Sequence, residues 1–224
     1  MNFLLLSVGL IPSLIWLSFF LQEDVHPEPR KMIFYVFLGG VFAAVFAFWF
    51  EKMAGEYFTS VGIVSGMLPY IAAFAAIEEV IKFFAAYLII RKSPYFDEPI
   101  DAMIYTMTAA MGLAAVENVG VMFDPGLVSI KIGSLMFRFL GATLLHALSS
   151  SALGYYWARG MAKRRIWLYL PWGIIMAILL HTTFNYFIVV FDGGILYSIG
   201  ILIFAAFFVL YDFEKLKKND TMNI

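Results

Sequence analysis

The sequence predicts an all-α fold, a polytopic bundle of about seven membrane-spanning helices, and three observations carry that expectation. Hydrophobic residues make up 62% of the 224-residue chain and charged residues 14%, with a mean hydropathy of +0.87. That balance lies far from that of water-soluble domains, which could not bury so much apolar surface. Uncharged runs such as 2–22 and 32–50 reach the roughly 20 residues that carry a helix across about 30 Å of hydrocarbon. Finally, the basic residues segregate when the spans are assumed to alternate in direction.

Cutting the chain at charged and Pro/Gly breaks places spans near 2–22, 32–50, 70–90, 99–123, 131–158, 166–190 and 194–212. The first has no basic segment before it and no small-residue cleavage site, so it reads as a retained span rather than a signal peptide. After the second, the stretch 57–68 would cover only about 18 Å as a helix. It is expected to be an interfacial or re-entrant piece, separated from the third span by Pro69. The fourth ends at the Asp124-Pro125-Gly126 turn. The fifth is longer than a bilayer needs and should tilt or project. All of this forms a single transmembrane domain, 1–213, with the polar helices inside 69–190 and a short polar cytoplasmic tail at 214–224.

With alternating spans, one side receives Arg30, Lys31, Arg91, Lys92, Arg159, Lys163, Arg164, Arg165, Lys215, Lys217 and Lys218, and the other only Lys52 and Lys131. The positive-inside rule then puts the amino terminus outside and the carboxyl terminus in the cytoplasm. The chain has no cysteine, which excludes disulfides, thiol catalysis and cysteine metal sites. A net charge of −1 with scattered basic residues gives no indication of nucleic-acid binding, leaving the lipid bilayer as the evident surroundings.

Ionisable side chains at bilayer depth cost roughly 2.5 to 3.5 kcal/mol each on insertion scales, so their presence asks for a function. Here they are Glu78, Glu79, Lys82, Glu117, Arg138, His146 and His181, with Asn118 and Asn185 as polar companions. Lys82 stands four residues after Glu78 and three after Glu79, within reach of either on one helix. Adjacent glutamates point about 100° apart, so one can face the lysine while the other faces a cavity. A charge-neutral pair that merely helps a helix insert is the simpler account, but it leaves the second carboxylate without a partner. His181 and Asn185, also four apart, put an imidazole and an amide on one face, where both could serve a developing oxyanion. Alone, such a pair could equally tie helices together, and the same holds for His146. Arg138 could anchor at the interface or act as counter-ion for Glu117. Measured along the helices, residues from four spans fall between the outer third and the middle of the bilayer, as an intramembrane cavity would require.

The motifs A-I-E-E-V-I-K at 76–82, D-E-P-I-D at 97–101, G-L-A-A-V-E-N at 112–118, Arg138 with His146, and H-T-T-F-N at 181–185 together resemble the PrsW family of intramembrane proteases, within the group related to the CAAX prenyl endopeptidases and Abi proteins. The resemblance runs from about Pro69 to Tyr186. It implies a bacterial cytoplasmic-membrane endopeptidase that makes a first, extracytoplasmic cut in a single-span anti-sigma factor during a stress response. It assigns Glu78, Glu79, His146, His181 and Asn185 to catalysis, with Lys82, Glu117, Asn118 and Arg138 in support. Leu113 stands where the family often has an aromatic residue, and Lys82 where the prenyl endopeptidase branch has an arginine one position later.

Two chemistries suit these residues. The preferred one needs no metal: Glu78 takes the proton of a water held by His146, and His181 with Asn185 stabilises the oxyanion. The other is a zinc site built from Glu78, Glu79, His146 and His181. No H-E-x-x-H, G-x-S-x-G or G-x-G-D pattern is present. A proton-coupled transporter could also use such residues, though inverted repeats are not visible, and a non-catalytic membrane scaffold could keep the same fold. The substrate, the choice of base between Glu78 and Glu79, and the oligomeric state do not follow from the sequence.

Overall fold

A computed structural model describes residues 2–191 and 194–218. Helices dominate, and there are no strands among these residues: α1 (Asn2–Phe20), α2 (Arg30–Ser60), α3 (Leu68–Ile90), α4 (Asp101–Phe123), α5 (Val128–Arg138), α6 (Leu144–Ala162), α7 (Ile166–Val190) and α8 (Gly194–Lys217). A π-helical turn, Phe139–Thr143, joins α5 to α6, so the two form one continuous rod and the bundle has seven rods, as expected. Six of them are long and apolar enough to cross a membrane. The seventh, α3, has 23 residues, a sufficient length, but carries Glu78, Glu79 and Lys82 in its middle.

Two boundaries differ from the sequence expectation. No separate interfacial piece occupies 57–68: α2 continues through it to Ser60, 31 residues in all. Nothing in Glu51, Lys52 or Glu56 breaks a helix, since Glu and Lys are good helix formers. The stop is Gly62, at φ 82. Its N–H bonds Thr59 O at 3.1 Å and the Ile63 N–H bonds Phe58 O at 2.8 Å, the paired bonds that close a helix around a left-handed residue. Pro69 then sits in the first turn of α3, where a missing N–H costs nothing. At the other end, the polar tail expected from 214 begins inside α8, which runs to Lys217; residues 219–224 lie outside the described residues, as does Asp192.

α4 is the axis of the bundle, with 67% of its apolar window buried against 33% or less for the other five spans of that kind. Small residues let its neighbours approach. A Cβ on Gly112 would fall 2.0 Å from Phe37 O, and one on Gly40 only 1.9 Å from Ala109 O. Backbone therefore touches backbone between α2 and α4, as at close helix crossings in membranes. Gly112→Val is expected to destabilise the protein by about 1–3 kcal/mol through forced separation, measurable as a lower unfolding temperature in detergent, whereas Gly120→Val, which meets nothing within 4 Å, should leave it unchanged.

The basic end of the bundle is also tied by polar contacts. Lys217 Nζ donates to Glu23 Oε2 at 2.7 Å, His26 Nδ1 meets Glu98 Oε1 at 2.8 Å, and Tyr105 donates to Glu28. Burial pushes the Glu28 carboxyl above its ordinary range.

Candidate active site

The polar residues of α3, α4, α6 and α7 converge on one interior network. Adjacent glutamates part company as helical spacing requires. Glu79, fully buried, turns towards Lys82, and its Oε1 accepts from Lys82 Nζ at 2.6 Å, from Ser149 Oγ at 2.9 Å and from His181 Nδ1 at 2.7 Å. Glu78 turns instead into a cavity of about 510 Å³ that is also lined by Glu117, Arg138, His146, His181 and Asn185. Its Oε2 is buried and accepts no hydrogen bond. Two imidazole nitrogens flank that oxygen, His146 Nδ1 at 3.6 Å and His181 Nε2 at 3.9 Å. These separations are too long for direct bonds and short enough for one water to serve Glu78 and a histidine together.

The network assigns the proton on each ring. Lys82 Nζ, a donor only, lies 3.0 Å from His146 Nδ1, so that nitrogen accepts. His146 Nε2 then carries hydrogen and donates to Glu117 Oε2 at 3.1 Å. On His181, Nδ1 donates to Glu79, which leaves the Nε2 lone pair facing the cavity. This refines the expectation for His181: Nε2 can donate to an oxyanion only when the ring holds a second proton. Asn185 needs no such change, because its amide always carries donors.

Arg138 is a counter-ion rather than an interfacial anchor. It reaches Glu117 Oε2 at 2.5 Å and Asn118 Oδ1 at 2.7 Å. Asn118 in turn donates to Thr143 Oγ1 at 3.0 Å and Ser13 Oγ at 3.4 Å, so its role is to tie α1, α4 and the π turn. That turn sets the phase of the rod. On a uniform α-helix Arg138 and His146 would point about 80° apart at 100° per residue. One extra residue in the π turn removes about that offset, and both side chains reach Glu117. The irregular backbone is itself satisfied, since Trp16 Nε1 donates to Phe139 O at 2.7 Å.

Two neighbours were not singled out in the sequence. Ser149 stands three residues after His146, on the same helix face, and this spacing was a usable signal. Glu51 of α2 comes alongside Glu78; it lies just beyond the uncharged run 32–50, so hydropathy gives no reason to bring it into the site.

For a metal ion, Glu78, His146 and His181 offer ligand atoms that all lie within 4.8 Å of one another, and the buried, bondless Glu78 Oε2 fits such a set in type. Glu79, included in the sequence-based zinc set, does not belong to the group, because its Oε1 is taken up by Lys82, Ser149 and His181. Its place behind His181 is that of a carboxylate that orients an imidazole.

Comparison with known proteins identifies the family. The sequence profile of the family described as PrsW family intramembrane metalloprotease matches residues 28–211. The chain belongs to the PrsW family. Protease PrsW of Geobacillus kaustophilus (strain HTA426) is 30% identical over 193 residues, covering 82% of this chain and 79% of the relative. Protease PrsW of Bacillus subtilis (strain 168) is 24% identical over 225 residues, 99% of this chain and 100% of the relative. No solved structure matches the chain. Family membership and the apolar helices make this an integral membrane protein of the intramembrane protease class, in the cytoplasmic membrane of a bacterium.

Proposed function

We propose that the chain cleaves a single-span membrane protein, an anti-sigma factor by family resemblance, close to the extracytoplasmic face, using Glu78 as the base. The observation that carries this reading is Glu78 Oε2, buried on the cavity wall with no hydrogen-bond partner and with two imidazole nitrogens around it. The cavity reaches Asp124, at the turn after α4 and away from the basic loops. With an outside amino terminus that end is extracytoplasmic, which suits a site-1-type cut.

In this mechanism Glu78 takes the proton of a water positioned between it and the histidines, and the water oxygen attacks the scissile carbonyl. Asn185 donates to the oxygen that gains charge. His181, backed by Glu79 as an imidazole is backed in hydrolytic triads, takes that proton from Glu78 at Nε2 and delivers it to the departing amine as the C–N bond breaks, which restores the Glu78 carboxylate. Lys82 and Arg138 balance Glu79 and Glu117, so the interior stays near neutrality while one proton moves.

A second reading has a specific observation behind it, the Glu78, His146 and His181 grouping, together with the family description as a metalloprotease. Those three residues would hold the ion, which would polarise the scissile carbonyl and acidify water. The metal-free reading is preferred because Lys82 already occupies the His146 Nδ1 lone pair at 3.0 Å. Only Glu78 and His181 then keep free ligand atoms, short of the three protein ligands usual in catalytic zinc sites.

Co-expression with epitope-tagged single-span proteins, anti-sigma factors among them, should yield a shortened product that disappears with Glu78→Gln. Thorough chelation of the purified protein should leave that cleavage intact. Loss of activity on stripping, recovered by adding Zn²⁺ with one ion bound per chain, would transfer Glu78, His146 and His181 to ligand roles. No shortened product from any candidate would count against the protease reading.

A further inference from the structure

Beside the catalytic cavity lies a second depression of about 740 Å³, between the carboxyl-terminal half of α2 and the first turns of α3. Phe48 lines both, so the two spaces border the same side chain. Its α2 wall is unusually polar for a transmembrane helix: Glu51, Lys52, Glu56, Thr59 and Ser60. The α3 wall is the stacked pair Tyr70 and Phe74, with ring centroids 4.4 Å apart. Gly55 forms the floor, where a Cβ would stand 2.9 Å from the Tyr70 hydroxyl.

We propose that this groove receives the unwound polypeptide segment flanking the substrate's membrane span and leads it past Phe48 to Glu78. The inference rests on the endopeptidase reading and adds the path of the substrate. A helical peptide bond has its carbonyl and N–H engaged, so cleavage within a membrane requires the segment to unwind. Unwound backbone at membrane depth is tolerated only where protein or water satisfies its polar groups. The side chains of α2 offer donors and acceptors of this kind along one wall, and the aromatic pair gives the opposite wall an apolar surface for alternate substrate side chains. From Glu51 to Ser60 the wall runs about 14 Å, the length of about four extended residues. Its inner end is at the right depth. Glu51 lies about 14 Å from the end of α2 and Glu78 about 15 Å from the start of the antiparallel α3, and the two carboxyl groups meet side by side.

Nearer the other end of the α2–α3 pair is an apolar groove, lined by Phe42 and Leu88 among others, and this serves as the control. A photo-crosslinking benzoylphenylalanine is placed at Glu56 or Thr59, or at Phe42 or Leu88, in the full chain carrying Glu78→Gln so that bound substrate persists. The probe is a co-expressed, epitope-tagged single-span anti-sigma factor, and cleavage by the otherwise unmodified chain is followed in parallel. Crosslinks should form several-fold more from positions 56 and 59 than from 42 and 88, and Gly55→Trp, which fills the floor, should weaken them. Crosslinks mainly from 42 or 88, or none from 56 and 59, would overturn the groove inference, and cleavage by the unmodified chain would then leave the protease reading in place. Crosslinks from 56 and 59 without cleavage would keep the groove as a docking site and count against the protease reading instead.

Discussion

Glu78→Gln is expected to lower the rate of substrate cleavage by about 10²- to 10⁴-fold, the usual contribution of a positioned general base, while the protein remains folded in the membrane. The substitution preserves volume and removes a buried charge whose Oε2 has no hydrogen-bond partner. Stability should therefore hold or improve. Product formation per inserted chain, measured alongside the unfolding temperature in detergent, separates the two effects. Near-normal cleavage by Glu78→Gln would remove Glu78 from the centre of the mechanism. Loss of cleavage with unfolding would instead assign it a structural role.

Lys82→Met has the opposite character, because its largest effect is on folding. The lysine and its partner Glu79 are both fully buried, 2.6 Å apart. Removing the ammonium leaves the carboxylate with only Ser149 and His181, an uncompensated interior charge of the kind that costs about 3–5 kcal/mol. It also frees the His146 Nδ1 lone pair that Lys82 engages. The unfolding temperature should fall sharply, and Glu79→Gln introduced together with Lys82→Met should restore much of it, because the pair then leaves together. If the single variant unfolds like the parent, the buried ion pair does not hold α3 in place. Lys82→Met also bears on the metal question: with the competing ammonium gone, a zinc ion should bind more readily if Glu78, His146 and His181 can act as ligands at all.

Much of this protein was legible in its residues. Long uncharged runs made the helical bundle unavoidable, because in hydrocarbon every backbone polar group must be satisfied within the segment. The spacing of Glu78, Glu79 and Lys82 on one helix was enough to predict that one glutamate faces the lysine and the other a cavity. Glu117, Arg138, His146, His181 and Asn185 stood out because ionisable and amide groups at bilayer depth are expensive.

What the residues determined by themselves was thus the class of fold, the location of its spans and the list of polar side chains. Only the tertiary structure decided how those side chains divide the work. Glu79 rather than Glu78 takes the lysine, the serine and a histidine, which settles which carboxylate is left on the cavity wall. The π turn, invisible in F-L-G-A-T as a string of letters, brings Arg138 and His146 onto one face. Glu51 joins Glu78 because α2 does not stop at the apparent end of its apolar run but continues to a glycine cap at Gly62. The physical reason is common to all three. Hydropathy and spacing act within one helix, whereas pairing, phase and depth depend on which neighbouring helix offers the complementary group.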